Sequence, residues 1–202
     1  MKTLVIGNGS STKDFELGKK IDSDFDVVVR FNRGYFEGIN NYEKYIGSKT
    51  NILIVHDGFA TKEWLTDKVL DSVDYVLVSI PLFKFSAQSF RINSLEFGDK
   101  VQIIQPYYEE KLRKMVNFGS KWPTTGLIGL SAIVNHYDDV TIFGFDGGNL
   151  KYEYYHYFGE TSHKRTSKYM NRDNRPDHNL SAENICIETI IQQNKLKILT
   201  NE

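Results

Sequence analysis

Seven short runs of β-branched and other apolar residues recur along this chain, at 3–6, 27–31, 51–55, 75–80, 101–104, 140–145 and 195–199. Most are continuous rather than alternating, as in Val27-Val28-Val29 and Ile52-Leu53-Ile54-Val55. A strand with one face in water alternates, whereas one that is apolar at every position has both faces covered, as parallel sheets do. Helical spacing lies between several of the runs. Trp64, Leu65, Val69 and Leu70 predict a helix over 61–71, and Tyr108, Leu112, Met115 and Val116 one over 107–118. Ile185, Ile187, Ile190 and Ile191 predict a helix over 181–193, and the largely apolar stretch 125–137 predicts a buried one. Strands alternating with helices predict an α/β fold with a doubly wound, mainly parallel sheet. With 202 residues, one domain spanning 1–202 is expected rather than two.

The segment 147–179 breaks the pattern, being polar and tyrosine-rich without a clear period. Within it, Lys164, Arg165, Lys168, Arg172 and Arg175 stand against one acid, Asp173, in a chain whose net charge is only -1. It reads either as a solvated surface loop or as a lid closing over an anionic ligand. The balanced total charge argues against a general nucleic-acid partner. One cysteine, Cys186, allows no internal disulfide, and no apolar run approaches the roughly 20 residues of a spanning helix. A soluble, cytoplasmic protein is the expectation, with peripheral inner-membrane contact through the basic segment as a variant of it. The oligomeric state is left open.

Gly7-Asn8-Gly9 follows the first run directly, where glycines allow close backbone approach and expose N–H groups. A nicotinamide dinucleotide site wants a third glycine and an acid ending the second strand; Thr12 and Arg30-Phe31-Asn32 stand there instead. A mononucleotide-binding turn or a plain tight turn remains. Asp22, Asp24 and Asp26 have the D-x-D spacing of cation-binding transferases, but they precede a strand at its remote end and read as a solvated turn. No other cluster has metal-ligand spacing, so no metal or other cofactor is expected.

Pro123-Thr124-Thr125-Gly126 opens the buried helix, where it reads as a cap or as a cradle for a carboxylate, ribose or phosphate. His156 lies in the polar loop, and His178 ends it just before the last helix, five positions ahead of Glu183. A histidine beside a helix N-terminus is held neutral, as a general base requires. Cys186, between Ile185 and Ile187, reads as core. Neither a Gly-x-Ser-x-Gly elbow nor a phosphate loop is present.

The order of these elements is more specific than any of them. Gly7-Asn8-Gly9 and Asp26-x-x-x-Arg30-x-Asn32 come first, then Pro123–Gly126, then Phe143-Gly144-Phe145, His156–Gly159, and His178 with Glu183. This resembles the large, small, third and very small sialyl motifs of the sialyltransferases, glycosyltransferase family 29, with bacterial family 42 as the nearest group to confuse with it. The resemblance implies a Rossmann-like, single-domain GT-A-type variant that takes CMP-sialic acid without a metal. It implies that Asn8, Gly9 and Asn32 hold the nucleotide, and that Thr124, Thr125 and Gly126 meet the ribose and the sugar carboxylate. Gly144 and Phe145 would belong to the same pocket. His156 would sit on the leaving phosphate and His178 would be the base. Tyr107 or Tyr108, and Trp122, fall where the family places phosphate-contacting tyrosines. A glycan acceptor, lipid-linked or free, is implied, as in lipopolysaccharide or capsule synthesis. Eukaryotic members carry a membrane anchor and a motif-linking disulfide; their absence here suggests a bacterial or viral form. A transferase of another CMP-activated acid sugar such as CMP-Kdo, or a non-catalytic nucleotide-binding domain, are the alternatives.

Overall fold

The structure, a computed structural model, describes residues 1–146, 156–158, 178–194 and 196–200. Of the expected lid-like loop, 156–158 and 178–179 are described; its basic stretch, 161–175, lies outside the described residues.

Among the described residues seven strands form one sheet: β1 (Lys2–Ile6), β2 (Val27–Phe31), β3 (Ile52–His56), β4 (Tyr75–Ser79), β5 (Val101–Ile103), β6 (Asp139–Phe143) and β7 (Lys197–Ile198). Their order is β5-β4-β3-β2-β1-β6-β7, and every pairing is parallel. The helices are α1 (Gly18–Asp24), α2 (Ile39–Ile46), α3 (Asp67–Asp71), α4 (Phe85–Asn93), α5 (Tyr107–Met115), α6 (Thr125–Ile133) and α7 (Leu180–Asn194). The doubly wound α/β reading therefore holds, in the Rossmann-like arrangement.

The continuous apolar runs have the expected cause. Val5, Val29 and Ile54 pack with Leu112 of α5, Leu130 of α6 and Ile190 of α7 on one face. Their neighbours Leu4, Ile6 and Val28 pack with Ile21 of α1 and Ile46 of α2 on the other. Leu53, Val55, Val76 and Val78 continue that second face against Leu65 and Ile92. Successive strand residues point to opposite faces, so covering both faces requires apolar side chains at every position.

Two differences from the sequence reading have local causes. The helix expected over 61–71 is reduced to Asp67–Asp71, because Thr66 is extended (ψ 162°). Ahead of it, Trp64 packs against Phe36 and Phe59 in an aromatic cluster, with ring centroids 5.1 and 4.8 Å away. The last expected strand residues, Gly144 and Phe145, leave the sheet because Gly144 takes φ +71°, a left-handed conformation that glycine adopts freely.

Arg30 is 1% exposed, in the middle of the sheet. Its Nη2 donates to the carbonyls of Ile46 and Gly47 at 2.7 and 3.0 Å. Its Nε donates to Lys49 O and Thr50 Oγ1 at 3.1 and 2.9 Å. Burial lowers its pKa to about 10, which keeps it a cation at neutral pH. It thereby ties the end of α2 and the following turn to β2. From the other side, Asp22 accepts from the N–H groups of Ser48 and Lys49, and Asp26 accepts from Lys2 N at 2.7 Å. Two of the three D-x-D carboxylates thus hold turns at the remote edge of the sheet.

Candidate active site

The sheet order reverses between β1 and β6, and in open α/β sheets ligands bind at the carboxyl ends of the strands at such a switch point. A cavity of about 330 Å³ opens there. Gly7, Asn8 and Gly9 line it beyond β1, and Gly144, Phe145 and Asp146 beyond β6. Gly7 N donates to Phe143 O and Gly9 N to Gly144 O, at 2.7 and 2.9 Å. A Cβ on Gly7 would stand 2.4 Å from Gly144 O. The turn glycine at position 7 is therefore required by the neighbouring backbone.

Two asparagines expected at the nucleotide line the same cavity. Asn8 Nδ2 donates to Phe31 O at 3.3 Å, which fastens the first turn to the end of β2. Asn32, in a left-handed conformation (φ 42°), uses Oδ1 to accept from His56 N at 2.8 Å. Its Nδ2 is then what it offers a ligand.

The first turn of α6 forms the wall opposite. Thr124 caps the helix, its Oγ1 accepting from Leu127 N at 3.3 Å and donating to Glu183 Oε2 at 3.0 Å. Glu183 Oε1 also accepts from Thr124 N at 2.7 Å. The Thr124 hydroxyl, expected on ribose or sugar carboxylate, is thus committed to the cap. The N–H groups of Thr125 and Gly126 are first-turn donors without intrahelical acceptors. Glu183, on α7 and 5% exposed, thereby positions the start of α6.

Both expected histidines reach the cavity. His156 is carried there by its neighbours: Tyr157 N donates to Asn8 O at 3.1 Å, and Tyr157 Oη donates to Gly34 O at 2.7 Å. The His156 ring stacks on Phe158, 26° from parallel at 5.1 Å. His178 Nδ1 lies 2.9 Å from Trp122 O. A carbonyl only accepts, so Nδ1 carries the proton and Nε2 is the basic nitrogen of the neutral ring.

Tyr107 is not brought to this cavity. It is 55% exposed and packs edge-on against Tyr108. The Tyr108 hydroxyl instead meets His136 Nε2 at 3.0 Å, beyond the far end of α6.

Three charged or titratable cavity residues escaped the sequence reading: Arg33, His56 and Asp146. Asp146 accepts from Ser11 N at 2.9 Å and from Ser11 Oγ, closing the first turn from below. Arg33, paired with Glu37, is the one Lys or Arg lining the cavity among the described residues. His56 ends β3, and its Nδ1 accepts from Gly58 N at 2.9 Å, so its neutral ring carries the proton on Nε2. All three fall within a few residues of a strand's carboxyl end, a positional signal that parallel topology makes readable.

Burial first, then the charges of Lys84 and His178, hold the His56 pKa below its ordinary 6.5, against the opposing effect of Asp57. The unfolded chain then binds this proton more readily than the folded protein. Stability is full above the ordinary value and declines as pH falls below it. Urea midpoints measured from about pH 7 to 5 should fall less steeply for His56→Gln than for the wild type. Parallel declines would contradict the assignment.

Among the described residues no group of three or more His, Cys, Asp or Glu side chains could hold a metal, and no helix is long and apolar enough to cross a membrane. Cys186 is fully buried, its pKa pushed up to about 11 by burial.

The family model for glycosyltransferase family 29 (sialyltransferase) matches residues 2–195. The chain belongs to this family. A type 2 lactosamine alpha-2,3-sialyltransferase of Homo sapiens is 26% identical across 100% of this chain and 65% of its own length. A CMP-N-acetylneuraminate-beta-galactosamide-alpha-2,3-sialyltransferase 1 of Gallus gallus is 27% identical over 78% of this chain and 47% of its own. A sialyltransferase-like protein 2 of Arabidopsis thaliana is 29% identical over 82% and 34%. The chain thus spans about two thirds of the length of the mammalian relatives. In this family 29 chain the four motif regions line one cavity through Asn8, Thr124–Gly126, His156 and His178.

Proposed function

We propose that this protein is a sialyltransferase that moves sialic acid from CMP-sialic acid to a glycan hydroxyl with inversion, on a GT-A-type variant of the Rossmann-like fold and without a metal. The observation that carries the reading is the Nδ1 contact of His178 with Trp122 O, which leaves Nε2 as the base in a family 29 cavity.

The chemistry follows from the side chains. Nε2 of His178 takes the proton of the acceptor hydroxyl as that oxygen bonds to the anomeric carbon. The bond from that carbon to the CMP phosphate oxygen breaks on the opposite face, and CMP departs. His156, Arg33 and the N–H groups of Thr125 and Gly126 surround the position of the leaving phosphate. Charge-assisted hydrogen bonds are the stronger kind, and a preorganised set is needed where charge develops. Asn8 and Asn32 hold the nucleoside.

Gly126 tests the placement of the donor. A Cβ there would meet Thr124 Oγ1 at 3.6 Å and Phe145 at 3.9 Å, ordinary contacts that the chain accepts without moving. Gly126→Ala should therefore melt no lower than wild type, since alanine favours a helix by about 0.5–1 kcal/mol. Its methyl enters the cavity, and overfilling by a methyl costs about 1–3 kcal/mol, so the donor KM should rise about tenfold. An unchanged donor KM would place the donor elsewhere.

The activity is tested by incubating the protein with CMP-sialic acid or CMP-Kdo and a glycan acceptor, with and without EDTA. Sialic acid transfer that survives EDTA is the expected result. Transfer from CMP-Kdo alone, or loss rescued by Mg²⁺, would overturn the donor or the metal-free mechanism respectively.

A further inference from the structure

A base must touch the hydroxyl it deprotonates, so the acceptor sugar rests against whatever flanks His178. Trp122 flanks it twice, through the carbonyl that meets Nδ1 and through an indole standing edge-on to the imidazole at 6.0 Å and 81°. Beyond Trp122 lies Phe83, with ring centroids 5.1 Å apart and planes tilted by 44°. Phe83 is 69% exposed.

Single exposed aromatics are ordinary and mean little alone. Phe83 differs in being both connected and held. It sits in the turn Leu82–Lys84 that follows β4. Leu82 N donates to Glu109 Oε2 at 2.8 Å, and Lys84 Nζ pairs with Asp57 at 2.9 Å. The residues on both sides of Phe83 are therefore anchored, one to α5 and one to the end of β3. The result is a fixed aromatic surface that runs from open solvent to the imidazole.

We propose that Phe83 and Trp122 form the acceptor platform, on which a β-galactoside ring stacks through its C–H face while the hydroxyl to be modified reaches His178. This rests on the sialyltransferase reading above. The axial O4 of galactose leaves three C–H groups together on one face of the ring. Those partly positive hydrogens match the negative face of an aromatic ring. The human relative's name carries type 2 lactosamine and the Gallus gallus relative's carries beta-galactosamide. The aromatic surface is contiguous with the base, so stacking also aligns the attacking oxygen.

The test measures acceptor and donor KM in one assay, with CMP-sialic acid and N-acetyllactosamine, for the wild type, Phe83→Ala and Phe83→Tyr. The platform predicts an acceptor KM about fivefold to tenfold higher in Phe83→Ala, a larger change than in the donor KM, and recovery in Phe83→Tyr. A Phe83→Ala acceptor KM equal to that of an active wild type overturns the platform and leaves the sialyltransferase reading in place. A wild type that hydrolyses the donor but transfers to neither N-acetyllactosamine nor lactose overturns the acceptor class. A wild type that does not consume CMP-sialic acid at all overturns the sialyltransferase reading, and the platform with it.

Discussion

His178→Asn is expected to lower sialic acid transfer by about 10²–10⁴-fold, the usual contribution of a general base. Asparagine is the informative substitution because its Nδ2 occupies the place of Nδ1 and can still donate to Trp122 O, the contact that holds the imidazole at 2.9 Å. The local structure then keeps its anchor while the basic nitrogen is lost. The loss should fall on turnover, with the donor KM little changed, since an interaction made only in the transition state lowers kcat and kcat/KM together. A variant retaining transfer within a few-fold of wild type would remove His178 as the base. His56 is the neighbouring imidazole to examine next in that case. Its tautomer is the opposite one, with the proton on Nε2.

Arg30→Met is expected to cost about 3 kcal/mol of stability or more. The substitution keeps an unbranched apolar stem but strands four acceptors: the carbonyls of Ile46, Gly47 and Lys49, and Thr50 Oγ1. A buried polar group left without its partner costs about 1–3 kcal/mol, partly recovered because no cation then has to be desolvated. In a domain of this size that corresponds to a fall in Tm of roughly 6–12 °C. The effect should reach the cavity too, since Arg30 lies two positions before Asn32 on the strand whose end Asn8 and His56 both hold. A variant as stable as wild type would mean that the turn after α2 is held mainly by Asp22.

The strands were legible because covering both faces leaves no polar position for the pattern to lose; Val27–Phe31 is buried at all five residues. The missed helices lack that signature. In α1 only Gly18 and Ile21 are buried, and in α4 only Ile92, so their sequences read as polar connections. The order of Gly7-Asn8-Gly9, Pro123–Gly126, His156 and His178 identified the family, and Gly7–Gly9, Thr124–Gly126, His156 and His178 line one cavity. Roles set by side-chain partners were harder to read. The reach of Glu183 to Thr124 spans 59 positions. The phase of α5 places Tyr108 in the core and Tyr107 in solvent, a 100° difference between neighbours that a motif does not carry. Arg33, His56 and Asp146 needed the strand order to be known before their shared edge had meaning.

Under the proposed function, the cavity at the switch point holds a CMP-sugar with His178 facing its anomeric carbon. A crystal structure with a non-hydrolysable CMP-sialic acid analogue tests it most directly. The phosphate is expected beside His156, Arg33 and the first turn of α6, the nucleoside against Asn8 and Asn32, and Nε2 of His178 on the side of the anomeric carbon away from the phosphate. Nucleotide bound outside this cavity, or His178 on the same side as the phosphate, would contradict it.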